Sequence, residues 1–391
     1  MTRIRLVALG VMTAATAPAA GQEAVTPAAS SPLPVREEAL LWDPSVPIPK
    51  RSEMTAVEPL TRVTFHRAIQ GEYQFLSGPC IAGHKGRLFA CWTNSRLDES
   101  PDIECVRGRW SEDGGKTWGE VEVVAGDATP KATYGHGTIL SHQGRLWVFP
   151  ARFLPGQGKD PMRINMEAFV LREPAGKWEP LGVVASNFWA QEAPKPLPGG
   201  GWIVGGDADP YPGCGPAVAL VDKDDPAKWQ VVRIPIPYGK TDYYAGETTL
   251  WTDRGEVVAI IRNAEKDVAL MSISKDAGKT WSVPVESNWP MAESRAYAGV
   301  LSTGQRYLVC NSGNREFLVI AVSRPGEALL SKVRMLRQGR VQPRWPTHSK
   351  KPQWSYPWVT EHEGSLFVAY AAGKEDGELS IVPLEALSAD P

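Results

Sequence analysis

Ser111-Glu-Asp-Gly-Gly-Lys-Thr-Trp118 returns as Ser274-Lys-Asp-Ala-Gly-Lys-Thr-Trp281, so the pattern S-x-D-x-G-K-T-W occurs twice, about 160 residues apart. That spacing exceeds any single supersecondary unit, which makes the two octets non-adjacent members of a repeat array. The chemistry of the octet is that of a tight turn. Asp113 and Asp276 open it with carboxylates placed to accept backbone N–H groups two residues on. The glycines that follow supply positive φ at no steric cost. Thr and Trp restart a strand whose indole wedges between neighbouring sheets.

A second pattern fills the rest of the chain: a Gly-containing turn followed by four to six apolar residues. It recurs around Gly86, Gly144, Gly200, Gly255, Gly304 and Gly364, at intervals of 49 to 60 residues. Six such units fit an all-β, six-bladed β-propeller of four-stranded antiparallel blades. Degenerate staples at Ala175-Gly-Lys-Trp178 and Pro226-Ala-Lys-Trp229 fall where blades should end. A strand near Arg62 to His66 is expected to close the ring on the last blade. His84, His142 and His362 share one position beside the Gly turn in three repeats, and so read as solvated turn residues and not as metal ligands. The octet itself resembles the Asp-box of sialidases and related propellers, which implies that its aspartates are structural.

Composition limits the destination of the chain. It has 391 residues, 42% hydrophobic and 22% charged, with a formal net charge of −2, which points to a globular protein and away from nucleic acid. Thirty-seven glycines, 34 prolines and 15 tryptophans favour short strands and many turns. Residues 1–21 read as a secretory signal, with Arg3 and Arg5, an apolar run from Leu6 to Ala15, and the exit Ala17-Pro-Ala-Ala20. The apolar run is too short for a membrane anchor, and no later segment spans a membrane. Residues 22–55 read as a Pro/Ala-rich, flexible lead-in and 56–391 as the propeller. A secreted or periplasmic monomer is expected. Five cysteines without C-x-x-C spacing argue against zinc, and no cofactor is expected. In an oxidising compartment Cys91 and Cys105 are candidates for a disulfide across one hairpin.

Chemistry in a propeller belongs where the inner strands meet the central funnel. Glu247 enters a buried strand pair and Arg262 leaves it. Arg315 precedes an apolar strand, Tyr356 opens the last blade, and Asn94-Ser-Arg96-Leu-Asp98-Glu99 follows the first blade's inner hairpin. In this order and context the chain resembles the sialidase (neuraminidase) family, whose members carry Glu, Arg, Arg, Tyr and Asp at these places. The resemblance implies an exo-glycosidase for a terminal acidic sugar such as sialic acid. Tyr356 is then the nucleophile, Glu247 its base, and Asp98 the acid and base at the leaving oxygen, while Arg262 and Arg315 hold the substrate carboxylate. A phenol suits this substrate, because a carboxylate nucleophile is repelled by the sugar's own carboxylate.

One departure stands out. The family places an arginine two residues before a proline at the start of blade one, and counting from Pro79 that place holds Ser77. A lost charge-assisted bond is worth about 1.5–3 kcal/mol, ten- to a hundred-fold in affinity, unless Arg96 or Arg152 reaches in from nearby. His136, Glu192 and Asp207 with Asp209 sit at equivalent funnel positions, open to substrate contact or to blade-end hydrogen bonding alike. For Tyr356 and Arg315 the alternatives to function are a packed aromatic and a solvated charge. Two other readings therefore remain. One is a uronic-acid or other non-sialic glycan as substrate, by hydrolysis or by elimination with His136 as base. The other is a non-catalytic propeller that binds glycan.

Overall fold

The computed structural model describes residues 39–99, 104–126, 133–154, 163–173, 176–208, 215–221, 225–236 and 246–389. The signal segment, Asp209, Cys214 and Tyr244 lie outside these residues. Strand β1 (Thr61–His66) comes first in the chain but belongs to the last sheet. Blade one is β2 (Phe75–His84), β3 (Arg87–Ser95), β4 (Glu104–Ser111) and β5 (Glu122–Ala125). Blade two is β6 (Thr133–His142), β7 (Arg145–Leu154), β8 (Arg163–Arg172) and β9 (Lys177–Ala185). In blade three β10 (Phe188–Ala190) and β11 (Lys195–Pro196) both pair with β12 (Trp202–Ala208), followed by β13 (Gly215–Val221) and β14 (Gln230–Arg233). Blade four is β15 (Thr248–Trp251), β16 (Val257–Ile261), β17 (Leu270–Ser274) and β18 (Val285–Glu286). Blade five is β19 (Tyr297–Val300), β20 (Arg306–Asn311), β21 (Phe317–Ser323) and β22 (Leu330–Gln338). Blade six is β23 (Trp354–His362), β24 (Ser365–Ala372) and β25 (Asp376–Pro383), completed by β1 along β25. The six-bladed propeller and its closing strand are therefore as the repeat implies.

The Gly turns sit between the first two strands of a blade, and four of them share one geometry. Lys85-Gly86, Gln143-Gly144, Arg254-Gly255 and Glu363-Gly364 all have positive φ at both residues. This is the two-residue turn whose twist matches paired strands. Inner strands are buried on both faces, as in Val257–Ile261 and Arg306–Asn311, so they read as unbroken apolar runs rather than alternating ones. Indoles bridge adjacent blades. Trp358 Nε1 donates to the Ile81 carbonyl at 3.0 Å across the seam between blades six and one, and Trp251 Nε1 donates to the Tyr307 carbonyl at 3.0 Å between blades four and five.

Both octets lie between the third and fourth strands, at the outer rim. Asp113 Oδ1 accepts from Lys116 N at 3.1 Å and Thr117 N at 2.9 Å, and Oδ2 accepts from Thr117 Oγ1 at 2.7 Å. The reach is thus three and four residues, longer than the two expected, because Ser111 Oγ itself bonds the Asp113 carboxylate and Gly115 N and tightens the start of the turn. Asp276 repeats the arrangement with Thr280 and Ser274. The indoles of Trp118 and Trp281 donate to the carbonyls of Gly115 and Gly278, and Trp229 makes the same bond to Pro226, which confirms the degenerate staple of blade three.

Three expectations change. His84 is buried, with Nδ1 2.8 Å from Ser141 Oγ, so it is a packed residue between blades one and two and not a solvated one. Cys91 and Cys105 are free and buried: Cys91 faces Gly108 across β3–β4 and Cys105 faces Asn94, so the pair is out of register for a bridge. The lead-in is docked from Ala39 onward. Trp42 stacks on Trp289 with ring centres 5.1 Å apart and bridges to Leu330, and the Thr55 carbonyl accepts from Met335 N at 2.9 Å.

The Thr117 and Thr280 bonds hold Asp113 and Asp276 down to about 2. A carboxyl depressed in the folded state stabilises above its unfolded value, near 4, and loses that contribution as pH falls through 2. Asp113→Ala is therefore expected to lower stability against urea at pH 6, with the deficit shrinking steadily between about pH 4 and pH 2; a deficit independent of pH counts against the staple.

Candidate active site

Inner strands of three blades carry a bulge at the same level. In β2 the register slips between Ser77 and Cys80, in β6 between Gly135 and Gly137, and in β23 between Ser355 and Trp358. Bulges re-aim side chains, and here they turn Gly78, His136 and Tyr356 to one end of the channel. Gly78 (φ +52) and Tyr356 (φ +58) both adopt the left-handed region and both precede a proline. For a bulky residue that conformation costs about 1–3 kcal/mol and persists only where the surroundings impose it. At Gly78 the missing side chain is the point: a Cβ there lies 2.1 Å from His136 Cγ.

The His136 ring therefore lies over Gly78 and stacks on Tyr356, with centres 5.8 Å apart at 29°. Trp189 Nε1 donates to the His136 carbonyl at 2.6 Å. Burial, aided by the charges of Arg295 and Lys374 and opposed by a bond to Gln191, pushes the His136 imidazole well below its ordinary range, so it is neutral.

Tyr356 is 8% exposed, and three cations face its ring: Arg295 at 5.1 Å, Lys374 at 5.2 Å and Arg315 at 5.6 Å from the centre. Arg295 is 1% exposed. Its Nη2 donates to the Tyr356 carbonyl and its Nη1 to Gln191 Oε1, both at 3.2 Å, so it braces the bulge from beneath. Arg315 donates to Gln353 Oε1 at 3.0 Å and to the Glu293 carbonyl.

Glu247 and Arg262 are the next cross-strand pair beyond Thr248 and Ile261. Their side chains meet at 2.8 Å, and Arg262 Nη2 reaches Glu293 Oε1 at 2.8 Å. Burial works against the Arg262 charge, but Glu247, the Tyr356 phenol and Glu293 outweigh it and raise its affinity for the proton. Asp207 lies beside them. Burial first, then the Glu247 charge, raise its carboxyl well above the usual range against the pull of Arg262 and Arg295, which makes it a neutral acid.

The structure thus brings Tyr356, Glu247, Arg262, Arg315, His136 and Asp207 together, and adds Arg295 and Lys374. Asp98 sits in the loop after β3, where its carboxylate accepts from Ser349 Oγ and Glu99 N. Burial raises that group, but the bonds from Ser349, Thr347 and the backbone outweigh it and keep it anionic. Arg96 is exposed, and Arg152 lies over Tyr134 in blade two, 4.8 Å from the ring centre. The guanidinium sought beside Ser77 is therefore not supplied by these two. Lys374 occupies that side, its carbonyl accepting from Leu76 N at 2.9 Å.

Glu192 serves a different purpose. It is fully buried and accepts from Gly205 N, Leu250 N, Thr249 Oγ1 and Lys195 Nζ, which ties blade three to blade four. Arg295 and Lys374 escaped sequence reading because each sits in an irregular segment, with no apolar period to set its register. Among the described residues no cluster of three or more His, Cys, Asp or Glu is spaced to hold a metal ion. A cavity of about 450 Å³ lies at the turn end of the inner strands, lined by His84, Trp202, Trp358 and Glu361, away from these groups.

Six four-stranded blades, stapled by Asp-turns and carrying a phenol faced by three cations, are the architecture of a BNR-type propeller. The chain belongs to the BNR repeat-like domain family, whose model matches residues 86–369. Among solved structures it is similar to the Hadza microbial sialidase Hz136 (TM-score 0.65, 12% identity, 83% of this chain and 69% of that one). It is also similar to Trypanosoma rangeli sialidase in complex with sialic acid (TM-score 0.63, 12% identity, 85% and 60%). A third is a Dyadobacter fermentans protein of unknown function (TM-score 0.62, 14% identity, 83% and 100%). The chain spans about 60% of the trypanosomal protein, and identities this low carry the fold alone. No curated protein matches. Among the described residues no helix is long and apolar enough to cross a membrane.

Gly78→Ala is expected to cost about 1–3 kcal/mol in urea unfolding, because the new methyl must displace His136. A neutral result shows that the His136 ring has room to move.

Proposed function

We propose that the protein is an exported, sialidase-like exo-glycoside hydrolase that removes a terminal acidic sugar with retention of configuration. The observation that carries this reading is the Tyr356 phenol, held in a strained bulge and faced by Arg295, Arg315 and Lys374 with Arg262 close by. The cations favour an anion entering the funnel, and a phenol reaches an anomeric carbon bearing a carboxylate without like-charge repulsion.

In the first step Tyr356 Oη bonds to the anomeric carbon as the glycosidic C–O bond breaks. The phenolic proton goes to Glu247, and Asp98, entering the step protonated, gives its proton to the leaving oxygen. The Ser349 and Thr347 bonds favour the charged form of Asp98. That suits the second step, in which Asp98 takes a proton from water as the water displaces Tyr356, whose oxygen recovers its proton from Glu247. The first step requires the incoming aglycone to draw Asp98 away from Ser349. Arg262 and Arg315 hold the sugar carboxylate.

Turnover of a fluorogenic sialoside is expected, lost in Tyr356→Phe and reduced about 10²–10⁴-fold in kcat by Glu247→Gln. Failure on sialosides with turnover of glucuronides moves the substrate to a uronic acid.

The neutral His136 against Tyr356 favours a second reading, elimination from a uronic acid, in which His136 takes the proton beside the carboxylate as the neighbouring C–O bond breaks and the departing oxygen takes a proton from water. An unsaturated, ultraviolet-absorbing product identifies it, and a hydrated sugar rules it out.

A further inference from the structure

Lys374 stands in the turn from β24 to β25, following Gly373, with both residues at positive φ (+56 and +62). The turn is fixed on every side. Gly373 N donates to the Gln353 carbonyl, the Lys374 carbonyl accepts from Leu76 N, and the neighbouring Glu375 carboxylate accepts from Arg344 N, Trp345 N and Lys350 Nζ. The Lys374 side chain is 5% exposed. Its ammonium lies 2.8 Å from Glu99 Oε2, 5.7 Å from the Phe75 ring centre and 5.2 Å from that of Tyr356.

Two other enclosed lysines behave differently. Lys195 bonds Glu192 and the carbonyls of Leu250 and Ala298, and Lys350 bonds Glu375 and the Gln74 carbonyl. Both neutralise a buried carboxylate. Lys374 pairs instead with a carboxylate that is 47% exposed, and it faces the nucleophile. A fixed, enclosed ammonium whose counterion is a solvated side chain has the build of an anion site whose occupant in the free protein is Glu99.

We propose that Lys374 takes the place left by Ser77, binding the carboxylate of the sugar as a point charge, and that Glu99 occupies this position until the sugar displaces it. This deepens the reading above and rests on it. The exchange replaces one carboxylate by another, so it moves no net charge into the buried cluster. An ammonium lacks the planar fork of a guanidinium, so this side of the site fixes the charge of the sugar more than the angle of its carboxylate. Burial works to strip the Lys374 proton, but the Tyr356 phenol and Glu99 outweigh it, and the group stays charged.

The test is titration calorimetry on the full chain at low salt, with N-acetylneuraminic acid, glucuronic acid and the methyl ester of each as probes. Lys374→Met is expected to weaken binding of the acids at least ten-fold and leave the esters unchanged. Glu99→Gln is expected to strengthen binding of the acids several-fold, opposite in sign. Equal loss for acid and ester in Lys374→Met, or unchanged or weakened acid binding in Glu99→Gln, overturns the inference and leaves the proposed function standing. A wild-type protein that binds neither acid overturns both. Should Lys374→Met fail to fold, Glu99→Gln alone decides, since Glu99 is half in solvent.

Discussion

Everything at the mouth of the funnel depends on the pairing of β1 with β25. Six sheets around a channel meet largely through side chains, and the closing strand joins the first strand of the chain to the last sheet through a run of backbone pairs, with the bond from Leu76 N to the Lys374 carbonyl as a further backbone link across the same seam. Thr64 Oγ1 bonds Glu378 at 2.6 Å, and Arg337 bonds the same carboxylate at 2.6 Å, so the closing strand is tied to blade five as well as to blade six. Closure sets β23 and the β24–β25 turn against β2. At that seam Lys374 of blade six meets Leu76 of blade one, and His136 of blade two packs over Gly78 and against Tyr356. A ring opened at this point retains its hairpins and loses the site.

The seam also explains how the strain at Tyr356 is sustained. A left-handed tyrosine relaxes unless its neighbours hold it. Pro357 fixes the following φ, Arg295 grips the Tyr356 carbonyl, and the His136 ring limits the side chain. Arg295 is in turn held through Gln191, which also reaches His136 at 3.2 Å. The nucleophile candidate is thus oriented by groups from blades two, three and five, none adjacent to it in sequence. The network is not closed: among the described residues Arg295 Nε and Asp207 Oδ1 are buried without a hydrogen-bond partner, which leaves polar atoms open beside Tyr356.

How much of this was legible in the sequence follows from how each part is encoded. The staples and Gly turns are local, with chemistry complete within eight residues, and they gave the blade count and the closing strand. Glu247 and Arg262 flank one short hairpin, so counting along the two strands places them face to face. Tyr356 was legible through its family context, but its bulge was not, because bulges depend on neighbouring blades. Glu192 was misleading for a related reason: a glutamate at a strand end looks alike whether it faces a funnel or a seam, and only the backbone N–H groups of Gly205 and Leu250 decide. Arg295 lies in the irregular segment before β19 and Lys374 in a turn, and tertiary contacts such as that of Leu76 with Lys374 set their direction.

Charge around Tyr356 shows why Ser77 is not simply a defect. Arg262, Arg295, Arg315 and Lys374 contribute four positive charges. Glu247, Glu293 and Glu99 bring three carboxylates, and Asp207 is held neutral by burial and by Glu247. Asp98, kept anionic by its bonds from Ser349 and Thr347, is a fourth carboxylate, so a sugar carboxylate enters by displacing one already there. A third buried guanidinium, in addition to Arg262 and Arg295, adds a positive charge to this balance, and buried charge without a partner costs several kcal/mol. Lysine at this seam, neutralised by an exchangeable glutamate, lets the empty funnel remain stable while still attracting an anion. Ser77 and Lys374 are in this sense parts of one electrostatic arrangement, in which a lysine paired with a half-exposed glutamate lies on the side where the resemblance implies an arginine.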